Sequence, residues 1–538
     1  MRSVMPGKGA PENRFRVMAW VALIAAHLLL GSWFLAATDG GPDDARTGFP
    51  LDDAWIHLVY GSSVASDFAP KYNDAWETGF TSPAWMLFLA LAHWIASALS
   101  LSVVLVVKWM GVCLGALASI LLFETLLRMG ILHAVALFAA GLHALSPWMT
   151  FAAVSGMEIA LTVSCGLVTA LLLLYQRPFS AGLAGAISVL ARPEMLLVVA
   201  VLTLAIALPR SSKNARKLRT TAAFALPSAA ALFLWSATCY LVSGHLLPNT
   251  FYAKFTPRDL ESFPRIAGEF LFSLPLSLWF VGLPFLLLGT VYCMNLNRPL
   301  LRAYGAIPWI LIAGTAASRH FPEGYTQFFY WQRYMLPALP FLLLLCALGI
   351  HQLALLLSKS DGTQSLGVRA LLVFAMIFMT GMQIRELSDL RSIYSWNCRN
   401  INEVQVEFGH WVDHNVAANR AVAVNDAGAI RYFGRRFTFD LLGLNNHDLL
   451  FDRELAVGIR QDLLILHRFL LEKGVDYLIV FPSWFEHVVR DPRFSAYFAE
   501  DISFSSAHYT ISRGKQDTMV AYRVLVPPQP ESRNAAGR

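Results

Sequence analysis

Two adjacent carboxylates, Asp52 and Asp53, follow Pro50 and open a helical pattern in PLDDAWIHLVYGSSVASDFAPKYNDAWETGFTSP, residues 50–83. In so apolar a chain, neighbouring carboxylates resist ionisation, because burial and mutual repulsion both disfavour the charged form. A general base gains when its pKa is pushed toward working pH. The start of a helix opposes that shift by stabilising the anion. Asp52 is the first choice as base and Asp53 the second. The competing roles are an N-cap at Asp52 and a first-turn residue at Asp53. One turn on, His57 falls on the same side as Asp53, Tyr60 and Gly61, with Trp55, Leu58, Val59 and Ser62 on another. The pattern suits an amphipathic helix lying in a membrane interface, where His57 is either a partner of the acids or a packing residue.

The elements that must position these residues follow from composition. The chain has 538 residues, 56% apolar and 14% charged, and its mean hydropathy is +0.51. A soluble chain carries roughly 25% charged residues. A soluble enzyme, a disordered chain and a secreted disulfide scaffold are therefore excluded. The net charge of +6 lies between hydrophobic segments, as topology signals do, and is no nucleic-acid signature. Apolar runs begin near 17, 103, 131, 157, 179, 195, 221, 270, 303, 334 and 369, giving about eleven transmembrane helices. The run 83–99 reads as half-inserted or surface-lying, because counting it as a span would put nearly all the basic loops outside. The N-terminus is then cytoplasmic. The first outer loop (38–82), further outer segments near 152–158, 191–195, 244–265 and 319–333, and everything after 385 lie on the opposite face. Of six cysteines only Cys398 lies in the polar part, and no metal-ligand spacing occurs.

Within that frame, DDAWIHLVY…YN…GFTSPAW resembles the first-loop pattern of bacterial GT-C-type glycosyltransferases, and is similar in particular to the mycobacterial terminal arabinofuranosyltransferases. Further matches follow in order: Ser155-Gly156-Met157-Glu158, Ala191-Arg192-Pro193-Glu194, Leu247-Pro248-Asn249-Thr250-Phe251-Tyr252-Ala253-Lys254, Arg333-Tyr334-Met335-Leu336-Pro337, and Asn425-Asp426-Ala427-Gly428 with Asp440-Leu441-Leu442-Gly443-Leu444-Asn445. The resemblance covers about 50–450. Val59 stands where the family has Arg, and Asp67-Phe68-Ala69-Pro70 replaces its Gly-rich turn; neither departure touches the aspartate pair.

The resemblance implies an integral-membrane glycosyltransferase, of hexosyl or pentosyl (arabinofuranosyl) type. It would move a sugar from a polyprenyl-phosphate donor to a cell-envelope glycan or glycolipid on the extracytoplasmic face of a bacterial cytoplasmic membrane. Asp52 and Asp53 would serve as base. The leaving phosphate would need cations where charge develops, for which Arg192, Lys254, Arg319, His320 and Arg333 are candidates; the alternative for Lys254 and Arg333 is headgroup anchoring. His57, Glu158, Glu194 and Asn249 complete the candidate substrate-binding set, Glu158 and Glu194 being equally suited to structural roles. The 83–99 segment is a candidate wall for the prenyl tail. No cofactor is required by the resemblance, although Asp52, Asp53 and Glu158 could form a divalent-cation site.

From about 385 helices and strands alternate, which suggests a small α/β domain. The expected organisation is a GT-C-like module over 1–384, an extracytoplasmic α/β domain over 385–526 and a disordered tail over 527–538. Helices are expected at 404–416 and about 453–473, and strands at 421–425, 437–441, 476–480, 503–512 and 518–525. Asp426 and Asp440 at strand ends either mark a binding edge or cap turns. The domain reads as an acceptor-binding or lid module. The competing functions are a transporter or flippase, which inverted repeats and midplane charges would indicate, and a non-catalytic envelope assembly protein. The sequence shows no internal repeat, and its charges gather at one face.

Overall fold

The computed structural model describes residues 10–208, 214–254, 263–273, 281–318, 321–324, 327–358, 363–507 and 518–526. The protein is a multi-pass helical membrane protein with a C-terminal α/β domain. Among the described residues, six helices are long and apolar enough to cross a bilayer, and the bent pair His133–Ala144 and Pro147–Val154 makes a seventh span if taken as one. Four other expected spans contain shorter helices: Ile159–Leu174, Pro178–Ala191, Met195–Ala207 and Leu283–Asn295. The shortest, of 13 residues, reaches about 20 Å at 1.5 Å per residue. Helix Pro83–Leu99 has one face buried through Trp85, Leu89, Ala92 and Ala96 and leaves Leu87, Leu91 and Trp94 exposed.

The helix Thr363–Ile401 carries the chain through the expected boundary at 385 without a break. Its 39 residues span about 58 Å, twice the hydrocarbon thickness, so one half stands clear of the other helices' depth. That half ties down the start of the first loop. Arg391 donates to the carbonyls of Trp33 and Ala36, Gly40 N donates to Ser395 Oγ, and Asn402 Nδ2 donates to Asp44 Oδ1 at 2.7 Å. Beneath them the buried Lys108 donates to the Ala45 carbonyl and to Tyr394 Oη at 2.8 Å.

The domain holds a five-stranded mixed sheet: β1 (Ala421–Val424), β2 (Phe437–Asp440), β3 (Val475–Val480), β4 (Phe498–Ser505) and β5 (Thr518–Val524), in the order β2-β1-β3-β5-β4. β1 runs parallel to β2 and β3; β5 runs antiparallel to β3 and β4. Three sequence expectations shift here. The strand expected at 503–512 starts five residues earlier as β4, and residues 508–517 lie outside the described residues, as does the expected tail. The helix expected at 453–473 is two helices, Arg453–Gln461 and Leu463–Glu472, because Asp462 is extended and accepts from the amides of Leu464 and Ile465. The 404–416 helix is the continuation of Thr363–Ile401 through a π-helical stretch at Asn402–Val406.

The sheet's alternation feeds two cores. Val475, Leu478 and Val480 pack with Leu466 and Leu470 on one side. Val422, Val424, Tyr477 and Ile479 pack on the other with Ile56, Val59, Tyr60, Tyr72 and Phe80 of the first loop. Helix Asp52–Asp67 is thus pressed between Pro83–Leu99 and the domain and is buried on nearly every side; it does not lie in an interface with a solvated face. Gly79 sits at the closest approach: a methyl group there would overlap the side-chain oxygen of Asn445 and the carbonyl of Leu444. Gly79→Ala should therefore push the domain from the first loop. The expected cost is about 1–3 kcal/mol, read as a lower unfolding temperature and faster proteolysis of the domain; an unchanged melting curve would show the contact to be slack.

Candidate functional site

Five breaks in helical structure bring the site together. Helix Asp52–Asp67 starts after the extended Leu51 and presents two carboxylates in its first turn. Gly156, at φ +76° and against the Phe49 ring, ends one helix so that Glu158 heads the next, Ile159–Leu174. An anion is favoured at such a terminus. Arg192 is held extended by the following Pro193, which interrupts two apolar helices and leaves its guanidinium among them. The short helices Asn249–Lys254 and Phe329–Gln332 bring Lys254 at the end of one and Arg333 just past the other.

These residues line one cleft of about 560 Å³. At its polar end Arg333 Nη2 donates to Asp53 Oδ2 at 2.6 Å, and Lys254 Nζ donates to the same oxygen at 3.4 Å. The Arg333 guanidinium also lies over the rings of Tyr330 and Tyr334, 4.6 and 5.1 Å from their centroids. Arg192 donates to Glu158 Oε1 at 2.5 Å and to Glu194 Oε1 at 3.2 Å. His57 Nε2 lies 4.0 Å from Glu158 Oε2. Most of the remaining wall is apolar, with Leu196 and Leu197 from one helix, Leu232 and Trp235 from another, and Leu247 and Phe251; Thr81, Ser236, Thr250 and Ser318 are its polar members.

Burial pulls the Asp53 carboxyl up, yet Lys254 and Arg333 overcome it and hold the group well below the usual carboxylate range. Asp53 is thus an anion at any physiological pH. Burial pushes His57 below its ordinary value against the pull of Glu158 and Asp53, so the ring is neutral near pH 7.

Asp52 has a different environment. Its Oδ2 accepts from the Gly428 amide at 2.7 Å and its Oδ1 from the Ala429 amide at 2.8 Å. It is the acid that fills the start of helix Ala429–Gly434 in the C-terminal domain, and it does not line the cleft. Burial raises its pKa, with the neighbouring Asp426 adding to the rise and the two amides opposing it. Burial likewise pushes Asp426, which accepts from Gln405, up to about 6.

Of the residues singled out in the sequence, Asp53, His57, Glu158, Arg192, Glu194, Lys254 and Arg333 meet in the cleft. Asn249 does not line it. Asn249 accepts from Thr78 Oγ1 at 3.0 Å and donates to Glu77 at 3.1 Å, fixing the far end of the first loop. Arg319 and His320 lie outside the described residues. The 83–99 helix contributes no residue to the lining of this cleft; it packs on Asp52–Asp67, with Leu89 against Gly61. The supposed Asp52, Asp53 and Glu158 cation site does not fit either. Their oxygens take amide, ammonium and guanidinium protons from three different sources, and among the described residues no group of three His, Cys, Asp or Glu side chains is placed to hold a metal ion. Sequence reasoning missed Trp235, whose apolar surroundings give no signal, and Leu444, which brings the domain to the cleft. Tyr334 sat in a noted motif without a role. Asp440 caps the turn that delivers Leu444 and Asn445, accepting from the amides of Leu442 and Asn445; Asn445 in turn accepts from Tyr60 Oη at 2.9 Å.

The fold is GT-C-like: a multi-helix membrane module whose first loop is roofed by a C-terminal α/β domain. The oligosaccharyltransferase of Archaeoglobus fulgidus in its apo form superposes with a TM-score of 0.60 at 11% identity, covering 94% of this chain and 76% of that one. ArnT from Cupriavidus metallidurans in the apo state gives 0.57 at 12% identity, covering 94% and 98%. The mycobacterial arabinofuranosyltransferase AftD gives 0.51 at 14% identity, covering 94% of this chain and 40% of that one. Residues 398–523 match a family model described as a domain of unknown function (DUF8728). No curated protein matches the chain in sequence.

Two substitutions separate the roles of the acidic residues outside the cleft. Asp52→Asn replaces one acceptor oxygen with a donor facing an amide, which should cost about 1–3 kcal/mol and loosen the domain, seen as a lower unfolding temperature. Asp426 has a folded pKa raised above its unfolded value, so its penalty is absent below the usual carboxylate range and present in full above about pH 6. Asp426→Asn should melt higher than wild type at pH 8, with the difference closing as pH falls toward 4. A pH-independent difference would contradict this.

Proposed function

We propose that the protein is an integral-membrane glycosyltransferase that moves a sugar from a polyprenyl-phosphate donor to a cell-envelope glycan or glycolipid, with its C-terminal domain on the extracytoplasmic side of a bacterial cytoplasmic membrane. The observation that carries this reading is one carboxylate, Asp53, held between two cations at the polar end of a cleft walled by membrane helices. The fold agrees: ArnT from Cupriavidus metallidurans has been solved bound to undecaprenyl phosphate, and AglB from Archaeoglobus fulgidus with a dolichol-phosphate.

Lys254 and Arg333 together carry one more charge than Asp53 neutralises. A sugar phosphodiester bears a single negative charge and matches that surplus, while its prenyl chain lies along Leu196, Leu197, Leu232 and Trp235. Binding draws both cations toward the phosphate. Asp53 loses part of its electrostatic support, and its pKa climbs back toward the range in which a carboxylate accepts a proton. The acceptor hydroxyl attacks the anomeric carbon, the new C–O bond forms as the anomeric C–O(phosphate) bond breaks, and the hydroxyl proton passes to Asp53. The electron pair leaves on the phosphate, where Arg333 and Lys254 meet the growing charge. Asp53 thus takes the role of base ahead of Asp52, whose oxygens are engaged by the domain.

The test is transfer of label from radiolabelled polyprenyl-phosphate sugars to membrane acceptors. Asp53→Asn should lower the rate by about 10²–10⁴, measured below its own melting transition because Lys254 and Arg333 lose their counter-ion, and Arg333→Gln should lower it by about 10²–10³. Equal transfer by wild type and Asp53→Asn would sink Asp53 as the base, and no transfer by wild type from any such donor would sink the glycosyltransferase assignment and favour a transporter or assembly role.

A further inference from the structure

Lys254 reaches the cleft from a helix of only six residues, Asn249–Lys254. Helices this short are marginal on their own, so their neighbours must place the side chains they carry. The residues of this one divide between two faces. Thr250, Phe251 and Lys254 line the cleft. Asn249 and Tyr252 do not line it, and at three residues apart they share another face.

That second face is held by the first loop and the C-terminal domain. The backbone amide of Asn249 donates to the Thr78 carbonyl at 3.1 Å. Its side chain accepts from Thr78 Oγ1 at 3.0 Å and donates to Glu77 Oε2 at 3.1 Å. The other oxygen of Glu77 lies 2.9 Å from Nδ1 of His447 in the domain. One turn on, the Tyr252 ring meets Phe451 edge-on, with centroids 5.2 Å apart. Phe451 also stacks on His245, earlier in the same segment, with centroids 3.4 Å apart. His447 and Phe451 are the two ends of one short domain helix, and neither lines the cleft. The domain thus grips the chain on both sides of Pro248, at His245 before it and at Tyr252 after it. Releasing Tyr252 would let the helix turn and carry Lys254, two residues on, away from Asp53 and from the Tyr330 ring 6.0 Å from its ammonium.

We propose that Phe451 and Tyr252 are positioning residues for donor binding: through their ring contact the C-terminal domain sets helix Asn249–Lys254 so that the Lys254 ammonium meets the donor phosphate. The proposal rests on the glycosyltransferase reading and gives the domain a part in it that acts through Lys254.

The experiment measures binding of undecaprenyl phosphate to the full-length protein in nanodiscs, as a double-mutant cycle. Lys254→Ala should weaken binding by about 10–100-fold, as the loss of a hydrogen bond to a charged group does. Phe451→Ala should weaken it by about two- to tenfold when Lys254 is present, and by nothing further on top of Lys254→Ala. Phe451→Tyr keeps the ring and should bind as wild type does. Tyr252→Ala breaks the same contact from the other side and should repeat the pattern, which keeps the test open if Phe451→Ala fails to fold. A loss of the same size with and without Lys254, or full affinity in both Phe451→Ala and Tyr252→Ala, would overturn the positioning role while leaving the phosphate site standing. Full affinity in Lys254→Ala would remove Lys254 from the phosphate site, and the proposal with it. Failure of wild type to bind undecaprenyl phosphate would overturn the glycosyltransferase reading itself.

Discussion

The structure depends on two successive carboxylates at one helix start being satisfied by different partners. Adjacent helical residues point about 100° apart. Asp52 therefore reaches back to the amides of Gly428 and Ala429 in the C-terminal domain, while Asp53 reaches into the cleft toward Lys254 and Arg333. The first contact fixes where the helix begins; the second places Asp53 at the polar end of the cleft. A shift of one residue would bring Leu51 or Ala54 to one of the two positions, leaving either the domain amides or the two cations without a carboxylate. The domain is consequently part of how the site is built, and Leu444 at the cleft wall is its most direct contribution.

Low polarity gives this arrangement its strength. In a cleft walled by leucines and tryptophan, charges act on one another with little screening. The guanidinium of Arg333 is held by Tyr330 and Tyr334 as well as by Asp53. It can thus be drawn toward a phosphate without losing all of its support.

Much of the site was legible in the sequence because scarce charge in an apolar chain is easy to place. Asp53, Glu158, Arg192, Glu194, Lys254 and Arg333 each interrupt or end a hydrophobic run, and Pro193 and Gly156 mark the breaks that aim two of them. The partition between Asp52 and Asp53 was not legible. It is decided by backbone amides 376 and 377 residues away, which carry no side-chain signature. The place of the 83–99 helix relative to the cleft was not legible either: loop charge says on which side of the membrane it lies, and only tertiary packing shows which neighbours it meets. The pattern at 52–67 suits a helix lying in a membrane interface, whereas the 83–99 helix, the cleft and the C-terminal domain surround it. The alternation of helices and strands after 385 was enough for the class of the domain, while the break at Asp462 needed its cap to be seen.

The central claim is that Lys254 and Arg333 are shared between Asp53 and the donor phosphate. It is tested most directly by a structure of the protein with undecaprenyl phosphate bound. The account predicts the phosphate within hydrogen-bond distance of both Lys254 and Arg333, with the Arg333–Asp53 contact lengthened from 2.6 Å. A phosphate held elsewhere, with Arg333 still closed on Asp53, would contradict it.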